Sequence, residues 1–426
     1  MTPSAKFPPL RSLDDALAEL LGKVTPLLGQ ELVSTFDADR RVLARAVTSA
    51  LNVPGFDNSA MDGYAMRADD LQPAGTQQTG AVLRQETGAV LRITQRIPAG
   101  HFGQALHAGE AARIFTGAPM PPGADTVVMQ EDCTDLGDGT LRVNAAAQPG
   151  QWVRRAGDDI AQGMVVLPQG TLLGPAQLGL AASIGLHQLH VTRRARVALF
   201  STGDELVMPG DVAPQDLKPG TIYNSNRFFL RTLLQRAGCD VTDLGIVPDN
   251  RDATIAALQT AAQNHDLIVT SGGVSVGEED HVKPAVQQLG SLDLWSISMK
   301  PGKPFAYGTV GAAHFVGLPG NPVSSFVTFL LLVRPMLAAL HGQRGDLKAI
   351  KSIASRADFA WVKADKRREF LRARRNDHGG LDVYPNQSSG VLTSAVWANG
   401  LVDNPAGGTI ALGDTVQFIP FDQLLA

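Results

Sequence analysis

Apolar positions along the chain change their spacing several times, and each change predicts a different kind of element. Near the N-terminus, apolar residues at positions 13, 16, 17, 20 and 21 fall on one face of a helix, and Ser12 is placed to cap its first turn. Between residues 51 and 148, short apolar pieces alternate with turns rich in proline and glycine. The pattern predicts an N-terminal helix and then a small domain of short strands.

Strands and helices alternate from about residue 191. The predicted elements are strands at 197–200, 241–247 and 267–270 and helices at 228–237 and 253–262. Asn226 is a candidate cap for the first of these helices. The alternation predicts a doubly wound, mainly parallel sheet with helices on both faces. Ligands bind beyond the carboxyl ends of such strands, so the loops at 201–205, 249–250 and 271–283 are expected to converge on one crevice.

The most hydrophobic segment is a predicted long helix at residues 323–340, which would close this α/β domain. Its composition is close to that of a membrane span, but Arg334 and Pro335 interrupt it short of the roughly 20 apolar residues that a span needs. We therefore expect a buried helix. After Gly342 the chain returns to short strands and glycine turns, which predicts a β-rich C-terminal domain.

Composition narrows the class of protein. The 426 residues include 37 basic and 41 acidic side chains, a net charge of −4, so no basic surface for nucleic acid is expected. The two cysteines, Cys133 and Cys239, lie far apart, which argues against a disulfide framework or a cysteine zinc site. The N-terminal segment lacks the pattern of a signal peptide, and we expect a cytoplasmic protein.

The strongest local motif is TSGGVSVGEEDHVK, which starts at Thr270. A predicted strand runs into consecutive glycines, whose N–H groups can approach an anion closely. The spacing from Gly272 to Gly277 is that of a nucleotide-binding phosphate loop, but Glu278 and Glu279 stand where Lys and Ser or Thr are required. The acidic run suits Mg²⁺ bridged to phosphate. A plain glycine turn before a solvated acidic helix explains the spacing equally well, so both alternatives stay open at this point.

Three further turns carry polar groups after apolar runs. The segment KPGK, from Lys300 to Lys303, offers two cations in a turn stiffened by proline. The segment PGNP, from Pro319, leads into the long helix, whose first N–H groups are available to an anion. The segment DNSAMDGYA, from Asp57, gathers carboxylate, amide and hydroxyl groups. Each segment is also compatible with an ordinary structural turn.

Seven segments of the chain stand in a characteristic order. They are PGFDNSAMDGYA from Pro54, RIFTGAPMPPGADTVVMQED from Arg113, STGDEL from Ser201, IYNSN from Ile222, SGGVSVGEEDHVK from Ser271, MKPGKPFAYG from Met299 and GLPGNPVSS from Gly317. In order and spacing they resemble the MoeA family of molybdopterin molybdenumtransferases, which includes the gephyrin E domain. The resemblance covers essentially the whole chain.

The resemblance implies a multidomain α/β fold built around a doubly wound molybdopterin-binding domain. The implied parts are an extended dimerisation segment (1–47 with 149–190), a small β-rich domain (48–148), the α/β domain (191–340) and a C-terminal β-barrel domain (341–426). Family members are homodimers, and their active crevice lies between the α/β domain of one subunit and the small domain of the other.

The resemblance also implies a reaction, in which molybdate is inserted into adenylylated molybdopterin with Mg²⁺-dependent release of AMP. At matching positions the implied metal ligands are Asp280 and Glu205. The implied catalytic residues are Asp62, Thr116, Asp159, Glu205, Asp249 and Lys300. The implied substrate and phosphate ligands are Ser271, Gly272, Gly273, Ser275, Lys303, Pro319 and Gly320. Asp62, Thr116 and Asp159 would approach from the partner subunit.

One departure from the family pattern is Ser296, which stands where many relatives have a lysine before the KPGK turn, and it affects the expected anion site. Two alternatives remain. A molybdopterin adenylyltransferase would share the α/β fold, form the adenylylated pterin from ATP and need none of the other domains. A non-enzymatic carrier or scaffold would bind molybdopterin without releasing AMP. The expected partners are a second copy of the chain and, transiently, the molybdopterin-adenylylating and other cofactor-pathway proteins, with no nucleic acid and no membrane.

Overall fold

The computed structural model describes residues 10–71, 88–273 and 281–425, and every element named below lies within them. The first part of the chain contains short strands and two helices. These are β1 (Leu10–Arg11), α1 (Leu13–Lys23), β2 (Gln30–Ser34), β3 (Val47–Thr48), β4 (Asn58–Ser59), β5 (Gly63–Met66), β6 (Val90–Ile97), β7 (Glu110–Ile114), β8 (Thr126–Met129), β9 (Cys133–Asp135), β10 (Thr140–Val143), β11 (Val153–Arg154), β12 (Val165–Leu167), α2 (Pro175–Ser183) and β13 (Gln188–Thr192). The predicted cap of α1 is confirmed, since the Ser12 hydroxyl accepts a hydrogen bond from the Asp15 N–H at 3.0 Å.

The short strands predicted between residues 51 and 148 form a six-stranded sheet of order β8-β5-β7-β6-β10-β9. Strand β5 pairs in antiparallel fashion with β7 and with β8, whereas β6 and β7 are parallel. Strands that precede this sheet in the sequence pair with strands that follow it. Strand β2 is antiparallel to β13, and β3 is antiparallel to β12. The sheet is therefore inserted into a segment whose two ends meet again.

The middle of the chain alternates strands and helices as predicted. Its elements are β14 (Arg196–Thr202), β15 (Leu206–Val207), β16 (Ile222–Tyr223), α3 (Asn226–Arg236), β17 (Asp240–Val247), α4 (Arg251–Asn264), β18 (Leu267–Ser271), α5 (Val282–Leu289), β19 (Gly290–Ile297), β20 (Met299–Lys300), β21 (Pro304–Val310), β22 (Ala313–Leu318), α6 (Pro322–Thr328) and α7 (Arg334–Leu340). They build a seven-stranded sheet of order β1-β19-β21-β22-β18-β14-β17. Strands β17, β14, β18 and β22 are parallel, and β21 and β19 extend the sheet in antiparallel fashion.

Alternate residues of the central strands serve opposite faces of this sheet. Val197 and Leu199 of β14 pack in one apolar cluster with residues of α1, α3, α6 and α7. Ala198 and Phe200 pack in another cluster with residues of α4 and α5. Both faces of the strand are thus buried, which explains why β14 is apolar without interruption rather than alternating.

The predicted long buried helix is confirmed, with one irregularity. Helices α6 and α7 are joined by a π-helical turn, Phe329–Val333, into one helical segment, Pro322–Leu340. In the described part of the chain this is the helix long and apolar enough to cross a membrane, but 78% of its most apolar window is buried in the protein. Pro335 lacks the N–H that a regular helix would use, which accounts for a disturbance of the hydrogen-bond ladder at this point.

The C-terminal part is β-rich, as predicted. Its elements are β23 (Ile353–Arg356), β24 (Arg368–Arg375), β25 (Leu381–Val383), α8 (Leu392–Trp397), β26 (Gly400–Asn404), β27 (Thr415–Pro420) and α9 (Phe421–Leu425). The sheet has the order β20-β24-β26-β27-β23, and β25 pairs with β24. Its first strand comes from the KPGK turn of the α/β part, since Lys300 pairs in parallel register with Glu369.

Candidate active site

A cleft opens at the carboxyl ends of three adjacent parallel strands, β14, β18 and β22. Its volume is about 720 Å³, which lies in the range of small-molecule sites. The residues of the predicted site that line it are Glu205, Ser271, Gly272, Gly273, Pro319 and Gly320. Of the three loops expected to converge, those after β14 and β18 line the cleft, whereas residues 249–250 do not, and the loop after β22 takes part as well.

The side chain of Asn226 holds two of these loops together. Its Nδ2 donates to the Ser271 hydroxyl at 2.7 Å and to the Gly320 carbonyl at 2.7 Å. The expectation that Asn226 caps α3 is wrong, because Ser225 occupies the cap position and Asn226 is the first residue of the helix. The amide satisfies polar atoms of the cleft floor instead, where an unpaired group would cost stability.

Consecutive glycines allow the loop after β18 to turn sharply. Gly272 and Gly273 have φ values of 97° and 67°, and a Cβ on Gly272 would lie 2.9 Å from the Thr202 carbonyl oxygen. The Gly272 N–H donates to the Leu318 carbonyl at 3.1 Å. This amide therefore completes a bond between strand ends in this structure, and its role as a phosphate ligand stays a prediction.

Two other amides keep the expected availability. Within the described residues, the N–H groups of Gly273 and Gly320 donate to no other group. Both residues line the cleft. Backbone N–H groups that face a polar cleft without a partner are suitable donors to an anion.

Carboxylates gather at the mouth of the cleft. Glu205 is exposed and is the charged side chain among the described lining residues. Beside it, the Asp204 carboxylate accepts a long hydrogen bond from the Asp249 N–H at 3.4 Å. Asp249 itself is half-buried and does not line the cleft. These carboxylates place negative charge at the mouth of the cleft.

Asn224 is a cleft residue to which the sequence assigned no role. It is buried with 2% of its surface exposed, and its Nδ2 has no hydrogen-bond partner among the described residues. Its Oδ1 accepts from the Arg227 N–H at 3.2 Å. The segment IYNSN contains this residue, so the sequence did point to the region. Nothing in the segment distinguishes an asparagine that faces a ligand from one that caps a helix.

Neither lysine of the KPGK turn lines the cleft. The Lys300 ammonium donates to Glu369 Oε1 at 3.0 Å and pairs with Asp365 Oδ2 at 3.3 Å, and it does not line the cleft. Burial lowers the pKa of Lys300, but its hydrogen bonds to Glu369 and Asp365 outweigh burial and raise the pKa overall. Lys303 is exposed and directly precedes Pro304, which lines the cleft. The anion-binding role of both lysines stays a prediction.

Ser296, the departure from the family pattern, lies opposite the second half of this turn. It is paired with Pro304 across the antiparallel strands β19 and β21. A longer side chain at this position would therefore start next to a lining residue of the cleft.

Asp62 and Thr116 form a pair in the inserted sheet domain. The Asp62 carboxylate accepts from the Thr116 N–H at 2.8 Å and from its hydroxyl at 2.7 Å. The backbone hydrogen bond from Thr116, followed by the hydroxyl bond, lowers the pKa of Asp62. Asp159 is exposed, and its N–H donates to the Val53 carbonyl at 3.0 Å. None of these three residues lines the cleft of the same chain.

The predicted metal ligands are divided by the limits of the described residues. Ser275 and Asp280 lie outside those residues. Within them, no group of three or more histidine, cysteine, aspartate or glutamate side chains is arranged to hold a metal ion. Glu205 alone of the two expected Mg²⁺ ligands is placed in the cleft.

Three family models match successive parts of the chain. The MoeA N-terminal region (domain I and II) matches residues 11–185, the probable molybdopterin binding domain matches residues 198–339, and the MoeA C-terminal region (domain IV) matches residues 354–421.

Curated relatives and a solved structure match along nearly the whole chain. A molybdopterin molybdenumtransferase of Haemophilus influenzae is 39% identical over 420 residues, 97% of this chain and 99% of that protein. Molybdopterin molybdenumtransferase 2 of Mycobacterium tuberculosis is 36% identical over 400 residues, 91% of this chain and 93% of that protein. The structure of a molybdopterin biosynthesis MoeA protein from Pyrococcus horikoshii has a TM-score of 0.75 at 30% identity and covers 97% of this chain and 99% of its own.

Proposed function

This chain belongs to the MoeA family of molybdopterin molybdenumtransferases, and on that premise we propose that it inserts molybdate into adenylylated molybdopterin and releases AMP. It has the multidomain α/β fold of the family, and its relatives make it an enzyme of molybdenum-cofactor biosynthesis. The identity of the adenylylated substrate, the requirement for Mg²⁺ and the roles of single residues are the proposed parts.

The observation that carries the proposal is the cleft itself. The loops after β14, β18 and β22 each carry one of the family segments, and they meet around a volume of about 720 Å³. The lining offers N–H groups at Gly273 and Gly320 that have no partner among the described residues, a buried amide at Asn224 and a carboxylate at Glu205. Such a site can bind a ligand that carries both phosphate groups and a polar ring system.

Mg²⁺ fits this set of donors. A protein commonly holds Mg²⁺ through one or two carboxylates, with phosphate oxygens and water completing the shell. Glu205 supplies a carboxylate in the cleft, Asp204 and Asp249 adjoin it, and Asp280 is the second ligand that we propose. Bound there, the metal would neutralise charge on the scissile anhydride.

The chain's own groups would position the substrate. Cleavage of the anhydride breaks one P–O bond, so an oxygen nucleophile must reach phosphorus while the departing phosphate gains charge. Amides at Gly273 and Gly320, with Lys303 near the rim, would hold these oxygens, and Asn226 would keep the two amide-bearing loops at a fixed separation. Lys300 contributes by anchoring the KPGK turn to Glu369.

We further propose a homodimer in which the partner subunit completes the site. Asp62 and Thr116 form an exposed pair outside the cleft of their own chain, and a second copy of the chain would bring such a pair to a substrate bound in the cleft. Leu28 and Phe36 of the proposed dimerisation segment (1–47 with 149–190) are 92% and 97% exposed, which a covered interface would explain. The C-terminal sheet would form the family's β-barrel domain, and the cytoplasmic location and pathway partners stay predictions.

The direct test is to incubate the purified protein with adenylylated molybdopterin, Mg²⁺ and molybdate and to measure AMP and mature cofactor together. We expect AMP release that depends on molybdate and stops when Mg²⁺ is chelated. Binding of the pterin without AMP release would indicate a carrier or scaffold. Formation of adenylylated pterin from ATP and molybdopterin would indicate an adenylyltransferase.

A further inference from the structure

A second cavity, separate from the cleft, lies where three parts of the chain meet. Its volume is about 120 Å³, and it shares no lining residue with the cleft. Its walls come from residues 40–42, from the C-terminal end of α3, from the long helix around α7 and from α9. Four arginines are among the lining residues, and no carboxylate of the described residues lines the cavity.

Two of these arginines have partners inside the protein. Arg41 is buried and donates to Glu31 at 2.7 Å and to the Thr192 carbonyl at 2.9 Å. Arg40 donates to the Arg236 carbonyl at 2.9 Å and so binds the C-terminal end of α3. Their charges are therefore accounted for by local structure, and they need no ligand.

The side chains of the other two arginines, Arg236 and Arg334, have no such partner among the described residues. The side chain of Arg236 is exposed at the cavity mouth and makes no ion pair with any described residue. The Nε of Arg334 is buried without a hydrogen-bond partner among the described residues. Burial also lowers the pKa of the Arg334 guanidinium. A buried N–H group without an acceptor costs stability unless a ligand supplies one.

The position of Arg334 is fixed by the helix that carries it. It is the first residue of α7, directly after the π-helical turn, and Phe329 from the start of that turn lines the same cavity. Pro335 follows it. A single-turn π-helix in a long buried helix commonly occurs at a functional position.

We propose that this cavity binds one small tetrahedral oxyanion of the phosphate class, held by the guanidinium groups of Arg334 and Arg236. Arginine presents planar donors that match phosphate oxygens in pairs. The cavity exceeds the space of a single water molecule, but it falls below the roughly 300 Å³ at which sites for larger ligands begin. A free anion fits this size, whereas a nucleotide does not.

Such an anion would join regions that are distant in sequence. It would contact the N-terminal segment, the α/β part and the C-terminal helix at once, because all three contribute walls. A ligand that binds only the folded chain stabilises it by mass action. The inference does not depend on the activity proposed for the cleft.

The test is equilibrium dialysis of the full chain with radiolabelled inorganic phosphate, with thermal unfolding measured in parallel. We expect saturable binding and a rise in Tm, and about a tenfold or larger loss of affinity in both Arg334→Gln and Arg236→Gln. Arg236 is exposed, so its variant should fold even if the Arg334 variant does not. Arg231→Gln, an exposed site on α3 that does not line the cavity, is the matched control and should bind as the wild type does.

Two further measurements separate this cavity from the cleft. Lys303→Ala should leave the phosphate affinity unchanged if the anion binds among the arginines, and AMP should compete poorly because of its size. Absence of phosphate binding, unchanged affinity in both arginine variants, loss confined to Lys303→Ala, or competition by AMP equal to that of phosphate would each overturn the proposal.

Discussion

Asn226 shows how one side chain can determine the shape of a cleft. It stands at the start of α3, yet its Nδ2 bonds to Ser271 and Gly320, which are 45 and 94 residues away in sequence. The loops after β18 and β22 therefore share one donor. Removing it would leave two acceptors in a partly closed site with only water to satisfy them.

We expect Asn226→Ala to reduce molybdenum transfer at least about tenfold and to destabilise the fold by roughly 1–3 kcal/mol, because the buried Ser271 hydroxyl and the Gly320 carbonyl lose their donor. AMP release and Tm would be measured on the same preparation. Asn264→Ala, at an exposed position of α4, is the control and should change neither quantity. Full activity in Asn226→Ala would mean that the loops keep their separation without this amide.

His341 is a second residue whose state depends on its surroundings. Its Nε2 accepts from the Ala195 N–H at 3.1 Å, which requires a neutral ring. Burial, with the nearby charges of Arg41 and Arg194, lowers the pKa of His341 from 6.5 to about 4. The unfolded chain therefore binds a proton at this residue at a pH where the folded chain does not.

The sign of the pH effect follows from this difference. Above pH 6.5 the ring is neutral in both states, and between 6.5 and about 4 only the unfolded state is protonated, so stability falls as the pH falls. We expect Tm to drop over this interval and to drop less in His341→Gln. In free energy of unfolding, the two proteins should differ in their loss by roughly 3 kcal/mol at most. His101→Gln, at an exposed site, should follow the wild type. Parallel curves for all three proteins would contradict the assignment.

At the scale of elements, the sequence pattern was sufficient where a segment's own composition decides its state. The apolar runs of β14 and β18 and the spacing of α1, α3 and α4 are such cases. It was insufficient for β1 and β20, which have two residues each and become strands only because β19 and β24 lie beside them. Local pattern carries no information about a partner strand that is distant in sequence.

The candidate site divides in the same way. The loops could be predicted because glycine, proline and acidic residues mark the ends of strands. The resemblance to the family segments then indicated which residues of these loops belong to the site. The pairing of Lys300 with Glu369 could not be predicted, since the two are 69 residues apart and lie on strands that only the fold brings together. The use of the Gly272 N–H by Leu318 likewise depends on the register of β18 with β22.

Two glycines of the cleft provide a matched comparison of backbone requirement. Gly272 has a φ of 97° and no room for a Cβ, whereas at Gly320 an added Cβ meets nothing within 4 Å. We expect Gly272→Ala to lower the free energy of unfolding by about 1–2 kcal/mol or more and Gly320→Ala to leave it nearly unchanged. Thermal unfolding of both variants checks this. Equal effects would show that the turn after β18 tolerates another conformation.

At the scale of the whole molecule, the chain carries its candidate catalytic groups on two surfaces. Glu205 belongs to the cleft, whereas Asp62 and Thr116 belong to the inserted sheet domain and face solvent. A monomer would therefore hold two incomplete halves of a site. In the symmetric dimer that we propose, each half would meet its complement on the other copy.

Mixing two inactive variants tests this arrangement. Asp62→Ala and Glu205→Ala should each lose AMP release as pure dimers while keeping the fold. Refolded together at equal amounts, half of the dimers carry one intact site of two, so about one quarter of the wild-type activity should return. Asp69→Ala, an exposed carboxylate of the same domain, is the control for Asp62→Ala. If the mixture recovers no activity although its dimers are verified by mass, the proposal of a shared site is wrong.

The strand β20 has a consequence for how such a protein can be divided. It belongs by sequence to the α/β part and by pairing to the C-terminal sheet, and Glu369, 1% exposed, relies on Lys300 as its counter-ion. A cut after α7 would pass through a shared sheet and strand a buried charge on the detached half. The two regions therefore do not behave as interchangeable modules, and a gene that exchanged its 3′ end with a distant relative would have to replace the lysine turn with it.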